Sequence, residues 1–412
     1  MTRNGFGARM NQYGSRRVQE VVIGQTERVP PTPIPQDAPL RFGVVTAGID
    51  VARATDPDEI LRSVTASFPD GTELYAVDHA FRQLIAVQPS ESEAVALVGP
   101  LRRAVLRAES VVVDGCTWAP VSERDQTIFV ARIPAEIDDL EAIEVAPGLG
   151  SILGGHRKRF ERLETYRRRQ NMSVAAELQW DLLPVRGDYF SGGRVAGILE
   201  PAYEVAGDGF DFAWADGALW AYSFDGMGHG VDATLTSAVA LAAVRNARRR
   251  GLGLSEQMDC ASQAIFEQWG GDRFVTGAGC RLGDGETQFV NAGHEPVRAV
   301  VGGNVERLDL VAELPLGVVE HHTYEVQRGP TLSDGDGIAM FSDGPGGASG
   351  SGGDTPLGPD GLDRILAERW SDRPFEAAHD TMRDVLRYIG DHDIVDDLTA
   401  VVLRLDSSLG AP

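Results

Sequence analysis

The stretch ALWAYSFDGMGHG, residues 218–230, decides how the C-terminal half of the chain is read. Its first seven residues are apolar or aromatic apart from one serine, as in a buried strand. Asp225 ends that run, and Gly226, Gly228 and Gly230 follow it closely. From Val231 to Arg250 the apolar positions take up a helical spacing. The order strand, acid, glycine turn, helix puts a carboxylate at the edge of a buried sheet. An unpartnered carboxylate there is costly.

Working outward, short strand-like runs alternate with glycine-rich turns from about Tyr189 onward. They include residues 287–291, 297–301, 338–342 and 398–405. Helical patterns cover Ser255–Trp269 and Gly361–Tyr388, the latter broken near Pro374. Strands in runs and helices in runs predict an α+β layered domain. Upstream, residues 151–184 read as an amphipathic linker helix. Arg157, Lys158, Arg159, Arg162, Arg167, Arg168 and Arg169 form its basic face, and Pro184 ends it. The basic face is either solvated or part of a dimerising, signal-carrying element. Residues 40–150 predict a small α+β domain. In it Asp56 caps a helix to Ala66 that buries Ile60, Leu61 and Val64, and Glu73–Val77 and Thr127–Arg132 are strands. Residues 1–39, rich in proline toward their end, read as a flexible arm.

The chain has 412 residues and a net charge of −23. That charge argues against general binding to nucleic acid or an anionic membrane. It does not argue against phosphate chemistry, because a bound cation reverses the local field. No signal peptide or membrane-spanning stretch is visible, and the three cysteines are scattered. A cytoplasmic, soluble protein is expected.

Four acidic positions carry the chemistry: Asp208, Asp225, Asp343 and the pair Asp396-Asp397. The chain holds ten Asp-Gly pairs, so the dipeptide alone marks a turn. Position distinguishes Asp225 and Asp343, since each ends an apolar strand. Carboxylates gathered at strand ends are satisfied together by hard divalent cations, which take oxygen ligands. A glycine beside the aspartate lets a backbone carbonyl reach the same ion.

Seven motifs in order resemble the SpoIIE/RsbU-type branch of the bacterial type-2C (PPM) protein phosphatases. They are LQWDLLP (178–184), PAYEVAGDGFD (201–211), DGMGHG (225–230), FVNAGHEP (289–296), LPLG (314–317), FSDG (341–344) and DDLT (396–399). The resemblance implies a phosphatase domain over residues 185–408 with two stacked antiparallel sheets flanked by helices. It also implies two Mn²⁺ or Mg²⁺ ions. Asp225 would bridge them with the Gly226 carbonyl beside it, Asp208 would serve one ion, and Asp343 and Asp396 would serve the other. Asp225 and Asp343 are the residues on which catalysis would rest. Asp397 is an alternative to Asp396 that the sequence leaves open.

The chain departs from the family pattern at Ala206, Phe210 and Met227. Met227 stands where eukaryotic relatives carry an acid-catalysing histidine. His229 and His294 read as scaffold rather than acid, and the stretch 345–353 reads as a mobile loop. The family further implies a phosphorylated STAS-type anti-sigma-factor antagonist as substrate. The N-terminal domain would be a sensor, GAF- or PAS-like by arrangement, and the linker helix a candidate homodimer contact. Two other functions compete: a catalytically weak phosphoprotein-binding module and a hydrolase of small phosphate esters.

Overall fold

The computed structural model describes residues 56–66, 68–90, 92–134, 165–168, 171–200, 207–283, 286–350, 355–390 and 396–409. All of them belong to one compact unit, Leu40–Pro412. The expected arm (1–39), part of the linker (151–164, 169–170) and the margins of the N-terminal domain lie outside the described residues.

Helix α1 (Pro57–Thr65) starts where its sequence says it should. The Asp56 carboxylate accepts the Glu59 amide at 2.8 Å, and Pro57 fills a first-turn position whose N–H would go unused. Behind α1 stands a six-stranded antiparallel sheet. It is built from β1 (Glu73–Val77), β2 (Gln83–Gln88), β3 (Val95–Ala96), β4 (Val111–Val113), β5 (Cys116–Glu123) and β6 (Gln126–Ile133), in the order β3-β2-β1-β6-β5-β4. Helix α2 (Gly99–Arg107) lies between β3 and β4. Alternate residues serve opposite faces. Leu74 and Ala76 join Ile60, Leu61 and Val64 of α1, whereas Tyr75 and Val77 join Leu101 and Val105 of α2.

The linker departs from the predicted single helix. Among its described residues Thr165 is helical, the chain then turns, and α3 (Val174–Leu182) follows, capped by the Ser173 hydroxyl, which accepts the Ala176 amide at 3.1 Å. Residues 166–168 and 171–173 are turn or irregular. Arg167 explains why. It is 1% exposed, its Nε donates to the Val77 carbonyl at 3.1 Å, and its own carbonyl accepts the His79 amide at 3.0 Å. A residue tied to the end of β1 on both sides cannot belong to a solvated helical face.

The remaining elements form a sandwich. Its strands are β7 (Gly187–Phe190), β8 (Gly193–Glu200), β9 (Asp208–Ala215), β10 (Ala218–Gly226), β11 (Val275–Gly283), β12 (Glu286–Ala292), β13 (Arg298–Val301), β14 (Asn304–Arg307), β15 (Gln327–Arg328), β16 (Gly337–Phe341) and β17 (Leu398–Leu405). Its helices are α4 (Val231–Arg249), α5 (Leu254–Trp269), α6 (Asp343–Gly347), α7 (Gly358–Arg369) and α8 (Pro374–Ile389). One antiparallel sheet runs β15-β12-β11-β10-β9 and the other β14-β13-β16-β17-β8-β7. This is the expected α+β sandwich.

Strand β10 shows why its sequence is apolar throughout. Leu219 and Ala221 face the second sheet, beside Phe210, Met340 and Val401. Trp220, Tyr222 and Phe224 face helices α4 and α5. With both faces buried, polar alternation disappears. Helices α7 and α8 cover the outer face of the second sheet and share one apolar core with the α2 face of the N-terminal sheet. There the Phe81 and Phe375 rings meet edge-on at 5.1 Å, and Arg107 reaches Asp372 at 2.9 Å and Glu376 at 2.8 Å.

The loop expected to be mobile is partly built. Residues 343–347 make one helical turn, Ser349 bridges Pro356, and the Tyr388 ring packs against Gly350. Among the described residues no helix is long and apolar enough to cross a membrane.

Candidate active site

Asp208 is the first residue of β9, and Asp225 stands directly across from it near the end of β10. The antiparallel register thus brings both acids to one edge of the first sheet. Asp208 is 2% exposed, and its Oδ2 has no hydrogen-bond partner. The glycines beside them are required by closeness. A Cβ on Gly207 would lie 2.7 Å from Ala233 Cβ and 2.8 Å from the Gly226 carbonyl oxygen. A Cβ on Gly226 would lie 2.8 Å from the Ala233 carbonyl oxygen. The Ser237 hydroxyl and the Gly226 amide both donate to the Gly207 carbonyl, which docks the first turns of α4 against the two strand ends.

The second sheet contributes its acids from adjacent strands. Asp343 follows β16 and opens α6; Asp396 and Asp397 precede β17. The Ser342 hydroxyl accepts the Thr399 amide at 3.1 Å and donates to the Asp397 carbonyl at 3.3 Å. A Cβ on Gly344 would come 2.0 Å from that same carbonyl oxygen, so the Ser-Asp-Gly triplet is the sequence that lets these chain segments touch. Asp397 reaches across to the first sheet. Its Oδ2 accepts the Gly207 amide at 2.9 Å and the Asp208 amide at 3.1 Å. Asp396 is exposed and accepts the Asp397 amide at 2.9 Å.

Gathered acids raise one another's proton affinity. Burial first, then repulsion from Asp343, Asp396 and Asp397, pushes Asp225 up to about 7. Burial, followed by Asp397 and Asp225, holds Asp208 well above the usual carboxylate range. Partial shielding of its carboxylate from water, with Asp343 adding to it, also raises Asp396. The set is all oxygen and short of positive charge, which is the chemistry a hard divalent cation satisfies. The unpartnered Asp208 oxygen fits that demand. As the side chains stand, no three His, Cys, Asp or Glu among the described residues form a group that could hold an ion. Ligation therefore requires some of these carboxylates to rotate.

The histidines divide by burial. His294 is buried, with Nδ1 3.0 Å from the Thr276 hydroxyl and Nε2 3.1 Å from the Ser223 hydroxyl. Burial lowers its pKa to about 4, so it is a neutral scaffold residue. Its backbone exchanges hydrogen bonds with the Asn291 side chain, which accounts for the Asn-Ala-Gly-His spacing. His229 and Met227 are exposed on the turn after Asp225. His321 is exposed, and His322 leans on Tyr324 and Glu313.

Two roles were not read from the sequence. One is the Asp397 clamp. The other is Asp211, whose carboxylate is bound by Arg245 at 2.7 Å and Arg248 at 2.8 Å while Arg245 also holds the Leu182 carbonyl at 2.7 Å. The three-residue spacing of the two arginines on one helix face was the available signal. Replacing Asp211 with alanine leaves two guanidinium groups beside a vacated buried site. The expected loss is about 3 kcal/mol, read as a lowered urea midpoint.

The family described as Stage II sporulation protein E (SpoIIE) matches residues 215–406. The match takes in Asp225, Gly226, Asp343 and Asp396 and begins after Asp208. No curated protein matches the chain. Among solved structures it is similar to the RsbU and RsbW domains of a Mycobacterium tuberculosis protein, at 22% identity and TM-score 0.46, covering 52% of this chain and 61% of that one. It is similar to the SiaA-PP2C domain of Pseudomonas aeruginosa at 20% identity and TM-score 0.49, covering 56% and 94%. It is also similar to the PP2C phosphatase domain of SpoIIE from Bacillus subtilis with a fragment of its regulatory domain, at 22% identity and TM-score 0.45, covering 53% and 64%. The chain thus spans less than two thirds of the first of these. Residues 215–406, just under half of the chain, are thus the part that matches the SpoIIE family model, and they carry the motifs from Asp225 to Thr399.

Proposed function

We propose that this chain is a divalent-metal-dependent phosphatase that removes phosphate from serine or threonine of a STAS-type anti-sigma-factor antagonist, in a cytoplasmic partner-switching pathway. The observation that carries the reading is the meeting of Asp208, Asp225, Asp343 and Asp396 at facing sheet ends, with Asp225 raised to about 7. Asp225 lies among the other acids and would be shared between two ions; the Gly226 carbonyl and Asp208 would help hold one of them. Asp343 and Asp396 would help hold the other. Two Mn²⁺ or Mg²⁺ ions, if held there, would make water a better nucleophile near neutral pH and would offset phosphoryl charge.

The protein's own part is to hold these oxygens in place. Ser342, Gly344 and Thr399 fix the backbone of the second pair, and Gly207 and Ser237 fix that of the first. The proton for the leaving serine oxygen comes from solvent or from His229, exposed on the turn after Asp225, because His294 is neutral and already engaged and Met227 has no proton to give. The N-terminal domain senses a signal, and the linker carries it or pairs two copies.

Asp396 and Asp397 separate by experiment. Asp396→Asn removes an exposed, available carboxylate, so it should lower turnover about a hundredfold and leave the melting temperature within error. Asp397→Asn weakens a clamp on two backbone amides, so it should lower the melting temperature by several degrees. Equal effects of the two substitutions on both readouts would overturn the assignment. The defining assay is phosphate release from a phosphoserine-bearing STAS protein with and without Mn²⁺. No release with any divalent metal would favour the phosphoprotein-binding alternative.

A further inference from the structure

A cavity of about 650 Å³ lies where the N-terminal domain meets the sandwich. That volume is in the range of sites for small organic ligands. The turn after β1 and the start of α2 form one wall; α8 and the end of β8 form the other. Its apolar lining is Phe81, Leu97, Met382, Leu386 and Ile389. Among the described residues, its charged lining is Arg82, Arg102, Arg383 and Arg387 against the single acid Glu200. In a chain of net charge −23, four arginines around one cavity are out of proportion.

Their nearby partners do not cancel them. Arg102 takes Asp380 at 2.6 Å, and Arg383 shares that same carboxylate at 3.5 Å. Arg383 and Arg387 both turn to Asp384, which also binds Arg369 at 2.6 Å. Arg82 meets Glu200 only at 4.0 Å. Buried His379 lies beside Arg102, and burial together with the arginine charges holds it neutral. The cavity therefore combines an apolar floor with surplus guanidinium groups, which bind carboxylate and phosphate oxygens through paired N–H donors.

We propose that this interdomain cavity is a binding site for an organic acid with an apolar body, and that its occupancy regulates the acidic site. The connection runs through two short lengths of chain. Glu200 ends β8, and Gly207 follows after six residues with Asp208 next. Gly390 closes α8, and Asp396 follows after five. A ligand seated between the ends of β8 and α8 thus touches elements that lie a few residues before Asp208 and Asp396 in the chain. The regulatory half rests on the phosphatase reading; the binding half does not.

The test uses the full chain and sodium decanoate as probe, followed by titration calorimetry. One decanoate per chain should bind saturably, with decanol and inorganic phosphate each about tenfold weaker or more, since each lacks half of the recognised chemistry. The double variant Arg82→Gln/Arg387→Gln alters two largely exposed side chains and should weaken decanoate about tenfold without a change in melting temperature. Met382→Trp, which fills the cavity, should abolish binding. Asp225→Ala should bind decanoate as the wild type does, so the binding result stands whatever the catalytic assays give. Absence of saturable binding, equal binding of decanol, or undiminished binding by the double variant each overturns the site. Saturating decanoate should change phosphatase turnover about fivefold in the wild type and leave the double variant unaffected. Unchanged wild-type turnover with decanoate bound overturns the coupling.

Discussion

Asp225→Ala should lower metal-dependent phosphoserine turnover by about a thousandfold or more, equivalent to about 4 kcal/mol of lost transition-state stabilisation. The expectation follows from position. Asp225 is repelled by Asp343, Asp396 and Asp397 and stands across from Asp208, so no other carboxylate lies among all the rest. Kinetics with a phosphoserine protein at saturating Mn²⁺ measure the effect. Stability provides the control. A carboxylate held near 7 by burial and repulsion is a liability in the metal-free fold, so the metal-free variant should be at least as stable as wild type at pH 7.5. A variant that is folded and retains activity within tenfold of wild type would remove Asp225 from the centre of the mechanism.

The second large effect is on pH. Metal affinity should fall about tenfold for each pH unit below about 7, because a proton on Asp225 must leave before the carboxylate can ligate. The stability of the metal-free protein should move in the opposite sense. Its folded-state affinity for protons exceeds that of the unfolded chain between the ordinary aspartate range and about 7. Stability therefore falls as pH rises through that window and levels off above it. Raised Asp208 and Asp396 add to the same trend. Melting temperatures from pH 5 to 8, with and without Mn²⁺, should diverge as pH rises. A metal-induced increment that is constant with pH would count against the carboxylate site.

Much of this could be read along the chain, because strand ends and glycine turns are local. Strand β17 was expected over residues 398–405 and occupies them, and the helix after Asp225 ends within a residue of its expected limit. Asp56 behaved as a cap because capping needs only the next three residues. What failed or stayed open depends on distant partners. The basic linker face could not reveal that Arg167 lies under the end of β1, since its acceptor is a carbonyl ninety residues away. Asp396 and Asp397 look alike in sequence. They differ because one carboxylate meets amides of the opposite sheet and the other faces solvent. Glycine content likewise says nothing of the Tyr388 ring that lies against Gly350.

Helix α8 carries on one surface the packing of the sandwich and on another that of the N-terminal sheet, with Phe375 and His379 both lying against Phe81. A helix with two such obligations makes the halves of this protein poor interchangeable cassettes. A catalytic fragment cut free at residue 185 would present Phe375 and Met382 to water and acquire an adhesive face. The intact chain should melt in one calorimetric transition, with the N-terminal sheet and the sandwich lost together. Any other domain joined in front of this sandwich would have to supply a counterpart of Phe81 and α2 to cover the same helix.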